Sequence, residues 1–103
     1  MNENVLAIYH WQGDSEDLRQ RYDAILHHVV DVSPARPLIH LAYPVDDGFQ
    51  VVDVWTDENI CRAMVDNPRF RELLEEHGLG HAHIDIRPVH GLGWPISETP
   101  MYR

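Results

Sequence analysis

Histidine is the residue this chain offers most freely for acid–base or metal chemistry, with eight in 103 residues. His81-Ala-His83-Ile-Asp85 reproduces the start of a metal motif, His-x-His-x-Asp-His, but Ile86 stands where the last ligand belongs. Alternation along one strand explains the same letters, because His81, His83 and Asp85 then share a face. His77 and His90 would have to extend the set, since imidazole and carboxylate suit zinc or iron. No metal site is therefore expected. His27 and His28 are adjacent on a predicted helix, point to different sides and make poor co-ligands. His10 ends an apolar strand. Two readings stand for it: a solvated strand end and, since imidazole titrates near neutral pH, a general base able to deprotonate a phenol or an acid next to a carbonyl. Tyr43, at the end of the same predicted face, is the expected substrate-orienting partner.

Asp53 is the other chemically notable residue. An aspartate inside a mostly apolar strand is costly unless it is paired. Arg87 or His83 on the last strand, or His40 on the second, are the candidate partners. If the strands lie in the order 4-1-3-2, His40 is on the adjacent strand. Arg87 would then have to reach across strand one or come from a partner subunit. Two roles stay open for such a pair: a buried polar contact that fixes a dimer, and catalysis.

Several chemistries are excluded. The chain has no lysine, which removes Schiff-base catalysis and any lysine-based phosphate loop. Cys61 is the only cysteine, so no internal disulfide forms, and its place in an amphipathic helix reads as a small buried hydrophobe. Ser15, Ser33 and Ser97 fall in cap or turn contexts without a nucleophile-elbow pattern. A net charge of −9 argues against nucleic acid and anionic membranes, which require clustered cations. The start, Met-Asn-Glu-Asn, lacks a basic, apolar leader, and no stretch reaches membrane-spanning length. A cytoplasmic location is expected.

The elements that must position these residues read in order as β-α-β-β-α-β. Residues 4–11 form strand one, and Asp14 or Ser15 caps a helix from about 15 to 31. Leu18, Tyr22, Ile25, Leu26, Val29 and Val30 make its apolar stripe. Pro34 and Pro37 end it. Leu38–Tyr43 is strand two, and Pro44 to Gly48 is a hairpin turn built on Asp-Asp-Gly. Strand three runs to Trp55, with Thr56 or Asp57 capping the next helix. That helix has a joint at Asn67–Pro68, resumes through Phe70, Leu73 and Leu74, and stops at Gly78. Ala82–Val89 is strand four. The chain reads as one domain over 1–103, with a core of about 4–90 and a tail over 91–103 that includes Trp94.

The expected fold is α+β and ferredoxin-like, an antiparallel sheet with two helices on one face. Leu6, Ile8, His10, Ile39, Leu41, Val52, Val54, Ile84 and Ile86 are expected under the helices. The other face would carry a polar cluster of Tyr9, His40, Asp53, His83, Asp85 and Arg87 among large apolar groups. Soluble monomers seldom leave such a face in water, so a sheet-to-sheet homodimer is expected.

Val51-Val-Asp-Val-Trp55 before a capped helix, and a last strand ending Arg87-Pro-Val-His90, resemble the dimeric α/β-barrel superfamily. More narrowly they resemble antibiotic-biosynthesis-monooxygenase domains, over residues 4–90. The resemblance implies cofactor-independent oxygenation, haem degradation or isomerisation, with the ligand between sheet and helices. It implies a ligand-binding set of Trp55, Met64, Phe70 and Leu74. In the haem-degrading branch a second tryptophan falls at Met64 and the iron-binding histidine near Leu74. Leucine supplies no axial donor, and His77 lies about one turn further on. No cofactor is therefore expected. The reading is an oxygenase or isomerase acting on a small apolar or aromatic ligand. The alternatives are a non-catalytic dimeric binding module and, third, a metal- or haem-dependent enzyme.

Overall fold

A computed structural model describes residues 4–33 and 35–92, so Trp94 and the rest of the tail from 93 lie outside the described residues. The elements are β1 (Val5–Gln12), α1 (Ser15–Val32), β2 (Ile39–Val45), β3 (Gly48–Trp55), α2 (Glu58–Val65), α3 (Pro68–Glu76) and β4 (His83–Pro88). All strand pairs are antiparallel, in the order β2-β3-β1-β4. This is the ferredoxin-like arrangement, with the second helical segment split in two at Asn67.

Local chemistry sets each boundary. The Asp14 carboxylate accepts from the Asp17 N–H and starts α1, and Asp57 accepts from Ile60 to start α2. Asn67 accepts from Arg69 and Phe70 ahead of Pro68, which needs no N–H partner in the first turn. The Asn67 amide also donates to the Val32 carbonyl at 3.1 Å, tying the α2–α3 joint to the end of α1. The hairpin is tighter than the sequence suggests. Val45 already pairs with Gly48, leaving a two-residue turn at Asp46–Asp47. Gly48 is obligatory there, since a Cβ would lie 1.8 Å from the Trp11 carbonyl oxygen.

The sheet corrects the expected faces. Val5, Ala7, Tyr9 and Trp11 of β1, and Phe49, Val51, Asp53 and Trp55 of β3, are buried with Leu18, Tyr22, Ile25, Cys61, Met64, Phe70 and Leu74 of the helices. The registers Ala7↔Asp53 and Asp53↔His40 put His40 on that same inner face. Leu6, Ile8, His10, Leu41, Tyr43, Gln50 and Val52 therefore face the other way. Only β4 holds to expectation: Ile84 and Ile86 pair with Tyr9 and Ala7 and so face inward. The inversion has a volume cause. The space under three helical segments is filled by Tyr9, Trp11, Phe49 and Trp55, which bury far more area than the aliphatic row. The expected dimer-face cluster is thereby divided. Tyr9, His40 and Asp53 lie beneath the helices, and His83, Asp85 and Arg87 lie on the open face.

Candidate functional site

Asp53 sits mid-strand on β3 and is 7 % exposed. Its Oδ1 meets His40 Nδ1 at 2.5 Å, across the β2–β3 pair. The second imidazole nitrogen, Nε2, meets the Tyr22 hydroxyl of α1 at 2.5 Å. Three elements thus contribute one residue each to a continuous chain, Asp53–His40–Tyr22. Tyr22 also stacks on the imidazole, with ring centroids 6.1 Å apart, and leans on Phe49. These contacts fix the ring plane of His40.

The electrostatics follow from this geometry. The hydrogen bond that His40 donates to Asp53 raises the His40 pKa above its ordinary value; burial opposes the shift and Coulomb attraction adds to it. Burial pushes the Tyr22 phenol well above its usual range, and the Asp53 charge pushes it further. Tyr22 therefore keeps its proton; when His40 is neutral, Tyr22 donates to Nε2 and His40 donates from Nδ1 to the carboxylate. Nε2 is left as a basic lone pair, oriented from behind by a carboxylate.

A cavity of about 340 Å³ opens beside this chain. Its walls are Leu26, Val29 and Val30 of α1, the α1–β2 loop at Ser33 and residues 35–37, Met64 of α2, and His40, Asp53 and Trp55 of the sheet. A smaller cavity of about 20 Å³ lies among Tyr9, Trp11, Tyr22, Phe70 and Leu74, and it too touches His40, Asp53 and Met64. Among the described residues, Trp55 Nε1, Tyr9 Oη and Trp11 Nε1 are buried without a hydrogen-bond partner. A buried orphan donor costs about 1–3 kcal/mol.

The four residues expected to bind a ligand are all found here. Trp55 and Met64 line the larger cavity, and Met64, Phe70 and Leu74 the smaller. His10 and Tyr43 are not. They lie on the open face, linked through Gln50: His10 Nδ1 is 3.3 Å from Gln50 Oε1, and Gln50 Nε2 donates to the Tyr43 hydroxyl at 2.6 Å. His10 Nε2 lies 3.4 Å from Asp47. The sheet separates them from the cavity, so His10 is not at its mouth; the histidine in its wall is His40. His83 and Asp85 make a loose contact of 3.7 Å, also on the open face. Among the described residues no three of His, Cys, Asp and Glu converge as a metal set. Tyr22 was legible only as one member of an apolar helical stripe. The available signal was its hydroxyl, which a buried stripe must satisfy.

Solved structures resemble this chain in fold. SnoaB, a cofactor-independent oxygenase from Streptomyces nogalater, superposes with a TM-score of 0.63 at 12 % identity, over 92 % of this chain and 99 % of that one. The monooxygenase ActVA-Orf6 of Streptomyces coelicolor, solved with nanaomycin D, gives 0.59 at 17 % identity over 91 % and 93 %. A conserved protein of unknown function from Bacteroides thetaiotaomicron gives 0.62 at 9 % identity over 86 % and 100 %. No family model matches the sequence, and no curated protein matches it. The fold is that of the antibiotic-biosynthesis-monooxygenase domains, as the residues around Trp55 imply. Among the described residues no helix is long and apolar enough to cross a membrane.

Proposed function

We propose that this chain is a cofactor-independent monooxygenase of small flat substrates bearing a phenol or an activated methylene, held between the sheet and α1. The observation that carries the reading is the Asp53–His40–Tyr22 chain, whose Asp53 and His40 line an open apolar cavity. The likeness in fold to SnoaB and ActVA-Orf6 supports the reaction class.

The residues suit the chemistry. A substrate hydroxyl takes Tyr22's place at His40 Nε2 and gives up its proton, and Asp53 stabilises the resulting imidazolium. The electron-rich anion adds dioxygen at the activated carbon. His40 returns the proton to the peroxy anion, giving a hydroperoxide. Loss of water from that carbon then leaves a carbonyl. The sum is CH₂ + O₂ → C=O + H₂O: the carbon gives four electrons and dioxygen accepts four. The freed Tyr22 hydroxyl is the donor for developing negative oxygen.

The reading includes a homodimer joined through the open sheet face. That face carries Leu6, Ile8, Val52 and Leu41, the last 53 % exposed, and no helix among the described residues covers it.

Anthrone, a three-ring ketone with one activated methylene, tests the activity. Dioxygen uptake and ¹⁸O incorporation into anthraquinone should exceed the uncatalysed background, and His40→Ala should lower the enzymatic rate by about 10²–10⁴-fold. Binding without turnover would leave a non-catalytic binding module. A His40→Ala rate equal to wild type would remove His40 as the base.

A further inference from the structure

The chain carries 17 acidic residues against 8 arginines. Almost every arginine on the described surface is consumed by a carboxylate. Arg19 binds Glu16 and Asp23, Arg21 binds Asp17, Arg62 binds Glu58, Arg69 binds Glu72 and Glu76, and Arg71 binds Asp66. Among the described residues, Arg36 and Arg87 have no acidic partner within salt-bridge range. Arg87 is on the β4 edge of the open face. Arg36 is at the large cavity: it belongs to the α1–β2 loop and lines the wall with Ser33 and Pro37. It is exposed, so it stands where the cavity meets solvent.

We infer that Arg36 is a binding residue for an anionic group on the ligand, and that the substrates of this site are flat apolar acids whose carboxylate rests at the cavity mouth. The inference rests on the cavity reading above and adds to it the polarity of the substrate. The rest of the wall is apolar apart from Ser33, His40 and Asp53. Ser33 is already engaged, donating to the Ala35 carbonyl. Asp53 would repel an anion placed deep in the cavity, so a carboxylate must point outward, toward Arg36. A protein of net charge −9 repels acids at long range. At physiological salt that field fades over about 8 Å, so a local guanidinium decides whether an acid is accepted. Guanidinium offers a planar fork that matches a carboxylate and, unlike lysine, never loses its charge.

Anthracene-2-carboxylate and its neutral near-isostere anthracene-2-carboxamide separate this proposal from the cavity reading. Both are titrated into the full chain at low salt, and binding is read from their own fluorescence. The wild type should bind the carboxylate about tenfold more tightly than the carboxamide. Arg36→Ala should weaken carboxylate binding more than carboxamide binding and so abolish that preference, and Arg36→Lys should retain part of it. The preference should also shrink as salt is raised. Equal affinity for the two probes in the wild type, or a preference that survives Arg36→Ala, overturns the role of Arg36 alone. Failure of both probes to bind overturns the proposal together with the cavity reading beneath it.

Discussion

Replacing His40 with alanine tests the central pair without any knowledge of the substrate. Asp53 has one hydrogen-bonding partner among the described residues, His40, and is itself 7 % exposed. Removing one member of a fully buried ion pair costs about 3–5 kcal/mol. Exposed pairs are worth about 0–1 kcal/mol. The His40 side chain is 37 % exposed, so this pair lies between those limits, and a loss of about 2 kcal/mol is expected at mildly acidic pH. For a domain of this size that corresponds to a fall in Tm of about 10 °C. The sign of the pH dependence follows from the raised His40 pKa. The unfolded chain loses the His40 proton near pH 6.5, and the folded chain holds it to higher pH. The ion-pair contribution is therefore fully present below about 6.5 and is lost as pH rises through the folded pKa. Urea unfolding of wild type and His40→Ala at pH 5.5 and pH 9 should show the larger gap at pH 5.5. Some gap should persist at pH 9, because neutral His40 still donates to Asp53. A gap that is constant with pH, or that widens toward pH 9, would refute the coupling of Asp53 to His40.

Other outcomes follow from single contacts. Asp53→Asn should lower the His40 pKa, followed as the imidazole Cε1–H resonance against pH, because the largest upward cause is removed and burial remains; an unmoved titration would contradict the assigned cause. Gly48→Ala should cost about 2 kcal/mol or more, since the new Cβ meets the Trp11 carbonyl and β1–β3 must part, so an unchanged urea midpoint would count against the register. Burial pushes the Cys61 thiol up to about 11, so Ellman's reagent at pH 8 should react only on unfolding; rapid labelling of the native protein would be the contrary result. Leu41→Asp should convert a sheet-paired dimer to monomer in sedimentation velocity, and a wild type that is already monomeric would dispose of the pairing.

The order of elements was legible because caps and breakers are local. Asp14, Asp57 and the Asn67–Pro68 joint each act within three residues of where they stand. The Asp53–His40 contact was also within reach. A costly aspartate needs a neighbour, and the strand order nominates His40. The cavity was not legible, because it is volume that Ala35, Met64 and the turn of the α1–β2 loop leave unfilled. Tyr22 was hidden for a related reason: in an apolar stripe a tyrosine reads as bulk, and only the tertiary approach of β2 to α1 gives its hydroxyl a partner.

The faces were misread because β1 is apolar on both sides. Leu6 and Ile8 alternate with Val5, Ala7, Tyr9 and Trp11, and hydropathy alone favours neither row. Strand three holds the discriminating residue. Gln50 shares a face with His10 and Tyr43, and its amide bonds both. A glutamine beneath helices would have needed partners there, so the Gln50 row belongs outside and the Asp53 row inside. That choice of parity also selects the histidine. With the even row of β1 inward, His10 would stand in the pocket and His40 on the open face. With the odd row inward, His40 joins Asp53 at the cavity wall and bonds Tyr22, and His10 is left on the far side of the sheet. Because strand alternation is strict, no side chain can compensate for the wrong choice. One residue of register therefore decides which imidazole can act on a ligand between sheet and helices.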